Sequence, residues 1–375
     1  MSESAISIFL PSVHGGGAER AMLVFGAELI KRGFEVDLVL SKREGALDGG
    51  IPNGLRVVDL ASSRMLKAVP RLISYLKQRQ PRAIYATITH ANLAAMSAAR
   101  CAGISAPVVL RQSNTPLSET KDSWGRLIAS RMIPLVYSKA SAIIAVSEGV
   151  RDELIELSPS LQPLTHVLPT PVLTSDIIDQ SKQETPHPWL RDRSVPVVLS
   201  AGRFKPHKGM LNLIRAFKLV RQARPARLII LGDGPERARL EAEVAQLGLA
   251  DDVAMPGFFP NPFVWMRRSS LFVLASHYEG LPNVLIQALG VGTPVVATDC
   301  PSGPAEILEN GRFGALVPVN NDQRLAEAIN KALSTAPSSD GQRVVWERYG
   351  AEAATSKYLQ LAGLPLNQPG AFQTI

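Results

Sequence analysis

The sequence predicts an α/β protein of two Rossmann-like, doubly wound domains facing each other across a cleft. Three observations carry that expectation. Short apolar, β-branched runs alternate with runs of helical apolar spacing, the pattern of a parallel sheet covered by helices. The alternation occurs twice, on either side of a stretch from Pro169 to Val195 where proline, charge and polar residues dominate. At 375 residues the chain is too long for one ordinary core and suits two. The cleft follows because open parallel sheets bind ligands beyond the carboxyl ends of their strands.

The first domain is expected over residues 1–168. AISIFLP reads as its first strand, since the N-terminus lacks the basic flank and long apolar core of a signal peptide. The glycine turn HGGG opens the helix AERAMLVFGAELIKRG, in which Met22, Leu23, Phe25, Leu29 and Ile30 share helical spacing. Gly33 ends it in the manner of a C-cap. FEVDLVLS, LRVVDL, RAIYATIT, APVVLRQ and SAIIAVS supply further strands, with helices between most of them.

After the linker at 169–195, the second domain is expected over 196–344. VPVVLSAGRF, RLIILGDGP, DVAMPGF, LFVLA, TPVVAT and GALVPV read as strands. LNLIRAFKLVRQA, PERARLEAEVAQLG and RLAEAINKALS read as helices. A polar loop with Glu279 and Gly280 leads into the helix NVLIQALG, with Pro282 as its first residue, where a missing N–H costs nothing. A closing helix is expected over 345–364 and a disordered tail over 365–375.

With 46% hydrophobic and 19% charged residues, the chain is expected to bury sizeable cores. Its formal charge of +7 and pI near 9.5 point to an anionic partner. Nucleic acid is set aside, because aromatics are 6% of the chain and do not interleave with the Lys and Arg. Cys101 and Cys300 have no metal-like spacing and read as reduced, buried small residues of a cytoplasmic protein. No run reaches the length of a spanning helix, so membrane contact would be peripheral, at the inner face. RMLKAVPRLISYLKQRQPR, residues 64–82, interleaves six cations with apolar residues and contains no acid. It suits either an anionic membrane surface or a helix packed on the sheet. Met132 to Tyr137, near Arg126 and Arg131, offers a second such contact.

The chemistry concentrates in the second domain. Around Glu279 and Pro282, a strand, a glycine-bearing loop and a helix N-terminus bring backbone N–H groups and a positive dipole end to one point, which suits a diphosphate. AGRFKPHKG, residues 201–209, places Arg203 and Lys208 directly after a strand. Fixed cations there can stabilise charge building on a leaving phosphate. No D-x-D stands at a strand end, and Asp251 and Asp252 sit in an ordinary turn, so no cofactor and no metal are expected. HGGGAER fails as a dinucleotide fingerprint, because Arg20 replaces the third glycine and the next strand lacks the ribose-binding acid.

EGLPNVLIQALGVGTPVVATDCPSGPAEIL resembles the signature block of the family 4 retaining glycosyltransferases of the GT-B fold, the group 1 type. That family's hallmark is two glutamates separated by seven residues. Glu279 matches the first, and Gln287 stands at the second. The resemblance covers nearly the whole chain and implies the following roles. Glu279 contacts the transferred sugar, Arg203 and Lys208 bind the diphosphate, and His90 stands near the sugar, making these four the catalytic set. Gly15, Gly16, Gly17, Gly280, Leu281, Pro282, Asn283, Val284 and Gln287 join Arg203 and Lys208 in donor binding. Gln287 replaces the glutamate that accepts hydrogen bonds from ribose hydroxyls. Arg111 and Asn114 are acceptor-side contacts, and the closing helix crosses back to the first domain. Ser147 either matches a family position or caps its helix.

The expected activity is metal-independent, retaining transfer of a hexosyl or N-acetylhexosaminyl group from a nucleoside diphosphate sugar, with UDP favoured. The expected acceptor is a glycan, lipid-linked, in surface polysaccharide or glycoconjugate assembly. Two other readings are a catalytically weak nucleotide-sugar-binding protein, suggested by Gln287, and a GT-B epimerase or sucrose-type synthase.

Overall fold

A computed structural model of the chain describes residues 5–115, 123–185, 187–192, 194–335 and 340–367. The chain forms two units, Met1–Val172 with Tyr349–Ile375, and Leu173–Arg348.

The first unit runs β1 (Ile6–Leu10), α1 (Gly17–Lys31), β2 (Val36–Leu40), β3 (Leu55–Asp59), α2 (Met65–Arg79), β4 (Ala83–Thr87), α3 (Thr89–Ala102), β5 (Val108–Gln112), α4 (Ser123–Tyr137), β6 (Ala142–Ala145), α5 (Glu148–Leu157) and β7 (Thr165–Val167). All seven strands are parallel, in the order β3-β2-β1-β4-β5-β6-β7. Continuous apolar runs such as ISIFL bury every residue, as strands covered on both faces must. β3 lies at the edge and leaves residues partly exposed. Chain order reverses between β1 and β4, and crevices open at such a switch point.

Two polar anchors tie α2 to the sheet and to the segment that follows β3. Asp37 of β2 is buried and accepts hydrogen bonds from Arg56 of β3 and from Tyr75 and Arg79 of α2. Arg71 of α2 donates to the carbonyls of Leu60 and Ala61. Ala68, Leu72 and Leu76 form the buried face of α2, so the basic segment does pack as an ordinary helix while leaving Lys67 and Lys77 exposed.

The second unit runs α6 (Ile177–Ser181), β8 (Val197–Ala201), α7 (Met210–Ala223), β9 (Arg227–Leu231), α8 (Arg237–Gln246), β10 (Val253–Gly257), α9 (Phe263–Arg268), β11 (Leu271–Leu274), α10 (Asn283–Gly290), β12 (Val295–Thr298), α11 (Pro304–Ile307), β13 (Ala315–Val317), α12 (Asp322–Leu333) and α13 (Asp340–Tyr349). Its six parallel strands have the order β10-β9-β8-β11-β12-β13, with the switch point between β8 and β11.

The stretch from Pro169 to Val195 differs from a free linker. From Leu173 it belongs to the second unit, because Leu173, Ile177 and Leu190 are apolar anchors among the prolines and charges. Leu173 packs so closely on Gly290 that a Cβ there would lie 2.6 Å from its Cδ2. The closing segment is two helices, α13 and α14 (Ala351–Leu361), separated at Gly350. α14 belongs to the first unit. Tyr85 donates to the Tyr358 carbonyl at 2.9 Å, and the Phe25 ring lies against both tyrosines. From residue 368 onward, the expected tail lies outside the described residues.

Candidate active site

The loops beyond β8 and β11, neighbours at the second unit's switch point, build the most developed site. After β8, Phe204 is fully buried and its N–H donates to the Asp233 carbonyl at 2.8 Å. This seats the loop on the turn GDGP, where only glycine fits: φ is 134° at Gly232 and 155° at Gly234, and a Cβ would lie 1.9 Å from the Gly202 carbonyl and 2.6 Å from that of Phe204. With Phe204 turned inward, Arg203 is left exposed. Among the described residues it makes no ion pair and no side-chain hydrogen bond, so its guanidinium is available to an anion.

Gly209, at φ 63°, brings the end of the same loop against β11, where a Cβ would lie 1.9 Å from the Ala275 carbonyl. This approach joins the two candidate loops. Lys208 Nζ lies 2.6 and 2.9 Å from the Glu279 carboxylate oxygens, and Ser276 Oγ donates to Oε1 at 2.6 Å. Glu279 is 7% exposed, whereas the Lys208 side chain is 21% exposed. The loop after β12 supports the arrangement from behind. Thr298 Oγ1 donates to the Ser276 carbonyl, the Glu279 N–H to that of Pro301, and Ser302 Oγ to that of Gly280.

Gly280, Leu281 and Pro282 lead from Glu279 into α10. Pro282 is the N-cap rather than the first helical residue, and Asn283 and Val284 begin the helix. Gln287 is buried in its second turn. His207 stacks on Tyr278 at 4.7 Å, and its pKa is pulled down to about 4 by burial and by Lys208, so it is neutral at pH 7. Cys300 is buried as expected, and its thiol is pushed up to about 12 by burial and by Glu279, which leaves it unreactive, whereas Cys101, near the end of α3, is exposed rather than buried.

In the first unit the candidates follow β1, β4 and β5. Gly15 has φ 96°, Gly16 is the N-cap of α1 and Gly17 its first residue. A Cβ on Gly16 would lie 2.2 Å from Glu19 Oε2, so the Glu19 side chain lies against this loop. His90 is exposed in the first turn of α3, two residues after Ile88. Ile88 has φ 77° and ψ 132°, a conformation that a β-branched residue rarely adopts.

Arg111 corrects the sequence reading. It is 3% exposed, and its guanidinium donates to Tyr358 Oη, Thr87 Oγ1 and Thr170 Oγ1 at 3.3, 3.1 and 2.9 Å. Its place near a strand end suggests a ligand contact, but the side chain ties α14 to the sheet. Asn114 is exposed just beyond β5. Ser147 caps α5, accepting from the Val150 N–H at 3.4 Å. Sequence reasoning missed Ser276, Thr298 and Ser302, which hold the Glu279 loop, and Gln112, which holds Asn114. Isolated small polar residues carry no spacing signal by which they could have been found.

Residues 181–352 match the family described as glycosyl transferases group 1, and residues 15–176 match glycosyltransferase family 4. The chain belongs to the family 4, group 1 glycosyltransferases. An uncharacterized glycosyltransferase of Methanocaldococcus jannaschii is 35% identical over 207 residues, 53% of this chain and 50% of that protein. The matched segment also spans about half the length of several other curated relatives. The N-acetylgalactosamine-N,N'-diacetylbacillosaminyl-diphospho-undecaprenol 4-alpha-N-acetylgalactosaminyltransferase of Campylobacter jejuni subsp. jejuni is 28% identical over 339 residues, covering 88% of this glycosyltransferase and 90% of that one. The structure of Anabaena Alr3699/HepE in complex with UDP-glucose has a TM-score of 0.78 at 20% identity, covering 96% of this chain and 100% of that one, which shows the shared GT-B fold.

Proposed function

We propose that this glycosyltransferase moves a hexosyl or N-acetylhexosaminyl group, with retention, from a UDP-sugar to a lipid-linked glycan acceptor in surface polysaccharide or glycoconjugate assembly. The observation that carries the reading is the Lys208–Glu279 pair with Arg203 exposed on the same loop as Lys208. The two cations take the donor diphosphate and Glu279 takes the sugar hydroxyls. Gly280, Leu281, Pro282, Asn283 and Val284 supply the backbone around the diphosphate, and Gln287 the ribose contact. The acceptor hydroxyl oxygen bonds to the anomeric carbon on the face from which the phosphate leaves. The electrons of the breaking C1–O bond stay on that phosphate, which takes the hydroxyl proton. Arg203 and Lys208 neutralise the charge that builds there, so no divalent metal is needed.

From the first unit, Gly15, Gly16 and Gly17 join donor binding, His90 serves the sugar and Asn114 the acceptor. UDP is favoured because a structural neighbour was solved with UDP-glucose. A lipid-linked acceptor is favoured by the Campylobacter relative, whose name specifies a diphospho-undecaprenol substrate. Gln287 is the observation that favours a second reading, a nucleotide-sugar-binding protein with little catalysis.

Incubation with UDP- and GDP-sugars, with lipid-linked saccharide and with or without a chelator, separates the readings. Transfer that persists with chelator supports the proposal. Donor binding without hydrolysis or transfer supports the second reading, and loss of turnover restored by divalent metal overturns metal independence.

A further inference from the structure

We infer that Gln112 is a positioning residue that fixes two segments of the first unit, the turn carrying His90 and the backbone at Asn114. The inference rests on the transferase reading above for its kinetic consequences, though not for its geometry.

Ile88 joins β4 to α3 in a conformation open chiefly to glycine. Such a turn persists only where its surroundings over-determine it. Thr87, on one side of Ile88, exchanges side-chain hydrogen bonds with Arg111: its Oγ1 donates to the Arg111 carbonyl at 3.3 Å and accepts from the guanidinium at 3.1 Å. Thr89, on the other side, accepts from Gln112 Nε2 at 2.9 Å. The Ile88 carbonyl accepts from the Asn92 N–H at 2.9 Å, and Asn92 Nδ2 donates to the Arg111 carbonyl at 3.0 Å and to Tyr137 Oη at 2.9 Å. Every anchor of the turn leads to Arg111 and Gln112 of β5 or to Tyr137 of α4.

Gln112 is the point where these anchors meet. It is fully buried, with both Nε2 protons donated and Oε1 accepting one hydrogen bond. Nε2 donates to Thr89 Oγ1 and to the Asn114 carbonyl at 2.8 Å, while Oε1 accepts from Tyr137 Oη at 2.7 Å. One side chain therefore holds the residue before His90 and the backbone of Asn114. An apolar residue of the same size would fill the volume but leave Thr89 Oγ1 and the Asn114 carbonyl without this donor. The strained turn would then be able to relax and carry the His90 imidazole with it.

The test compares wild type with Gln112→Met, Tyr137→Phe and Ile88→Gly. Two readouts are used, the kcat and donor KM of transfer, and the His90 imidazole resonance in NMR spectra of the full chain, assigned by its absence in His90→Gln. We expect Gln112→Met to lower kcat by roughly ten- to hundredfold, the scale of a small misplacement of reacting groups, with donor KM within about twofold. The His90 resonance should shift or broaden. Tyr137→Phe should do the same to a smaller degree, and Ile88→Gly should alter the resonance without lowering the melting temperature. An unmoved His90 resonance in folded Gln112→Met overturns the inference, as does a lowered melting temperature with kcat unchanged. Should wild type transfer no sugar to any acceptor, the transferase reading fails while the resonance still decides the positioning role.

Discussion

Lys208 Nζ sits within hydrogen-bond distance of both carboxylate oxygens of Glu279, 71 positions away in sequence. The contact joins the loops that leave β8 and β11 at the second unit's switch point. In the family 4 transferase proposed here, each partner also has its own ligand group, phosphate for Lys208 and sugar hydroxyls for Glu279. Stability and catalysis therefore respond differently to the same substitutions. Lys208→Met strands a buried carboxylate and should lower unfolding free energy by about 2 kcal/mol, less than for a fully buried pair because Lys208 keeps some water contact. Glu279→Gln removes the charge and should cost less. The double variant should recover part of the lost stability in urea unfolding, while turnover stays down at least 100-fold in all three. Transfer at wild-type rate by Glu279→Gln would remove Glu279 from the site.

Gly209 permits this contact, and its replacement tests whether the loop approach matters. Gly209→Ala combines a positive φ with a Cβ 1.9 Å from the Ala275 carbonyl. The loop must move, taking Lys208 with it. Calorimetry should show UDP binding weakened at least tenfold, with the circular dichroism of the sheet retained. Unchanged affinity would mean that Lys208 does not bind the diphosphate.

Gln287 stands where the family's second glutamate is expected. An amide keeps one carbonyl acceptor but lacks the charge that strengthens a hydrogen bond from a ribose hydroxyl, a difference of about 1 kcal/mol. Gln287→Glu should tighten UDP-sugar binding about fivefold with kcat little changed. Weaker binding in the same titration would count against the ribose assignment.

The two switch points explain how much was legible. Alternating apolar runs are long and periodic, so the sequence announces both parallel sheets, and ligand residues at strand ends follow from topology. Lys208 and Glu279 stand out in the sequence because they sit in dense local motifs, and the structure brings the two side chains into contact. Arg111 misled because it too ends a strand, and only the packing of α14 shows that hydroxyls of Tyr358, Thr87 and Thr170 occupy its guanidinium. Leu173 to Val195 misled because a few buried apolar anchors are hard to see among prolines and charges. The Ile88 conformation has no sequence signal, since no glycine marks it.

The acid limb of stability should carry the imprint of His207. Its folded pKa, about 4, lies below the ordinary value of 6.5, through burial and then Lys208. The unfolded chain protonates first, so stability is complete above about pH 6.5 and is lost as pH falls toward 4. Asp37 acts lower still. Burial alone would raise its pKa, but hydrogen bonds from Arg56, Tyr75 and Arg79 outweigh it and hold the carboxyl below its ordinary 3.8. Its contribution is therefore present above that value and lost at more acid pH. His207→Gln should flatten the decline in urea midpoint between pH 6.5 and 4.5. An unchanged slope would show that His207 does not titrate in that window.

α2 and α4 both pack against α3. Their outer residues include Leu66, 87% exposed, and Leu135, 64% exposed, with Leu127 and Met132 also exposed. Exposed Arg64, Lys67 and Arg131 accompany them, whereas Arg71 is engaged with the Leu60 and Ala61 carbonyls and Arg79 with Asp37 of the sheet. The side chain of Arg126 lies outside the described residues. Apolar side chains beside cations suit the interface of an anionic bilayer, where each buried leucine contributes about 1.5–3 kcal/mol and the cations add a salt-sensitive attraction. The chain should float with vesicles rich in anionic lipid at low salt, less so at high salt, and not with neutral vesicles. Leu66→Glu combined with Leu135→Glu should reduce flotation at least tenfold while leaving UDP affinity unchanged, since neither leucine is among the proposed donor-binding residues. Absence of flotation with anionic vesicles at low salt would remove the membrane from this transferase's partners.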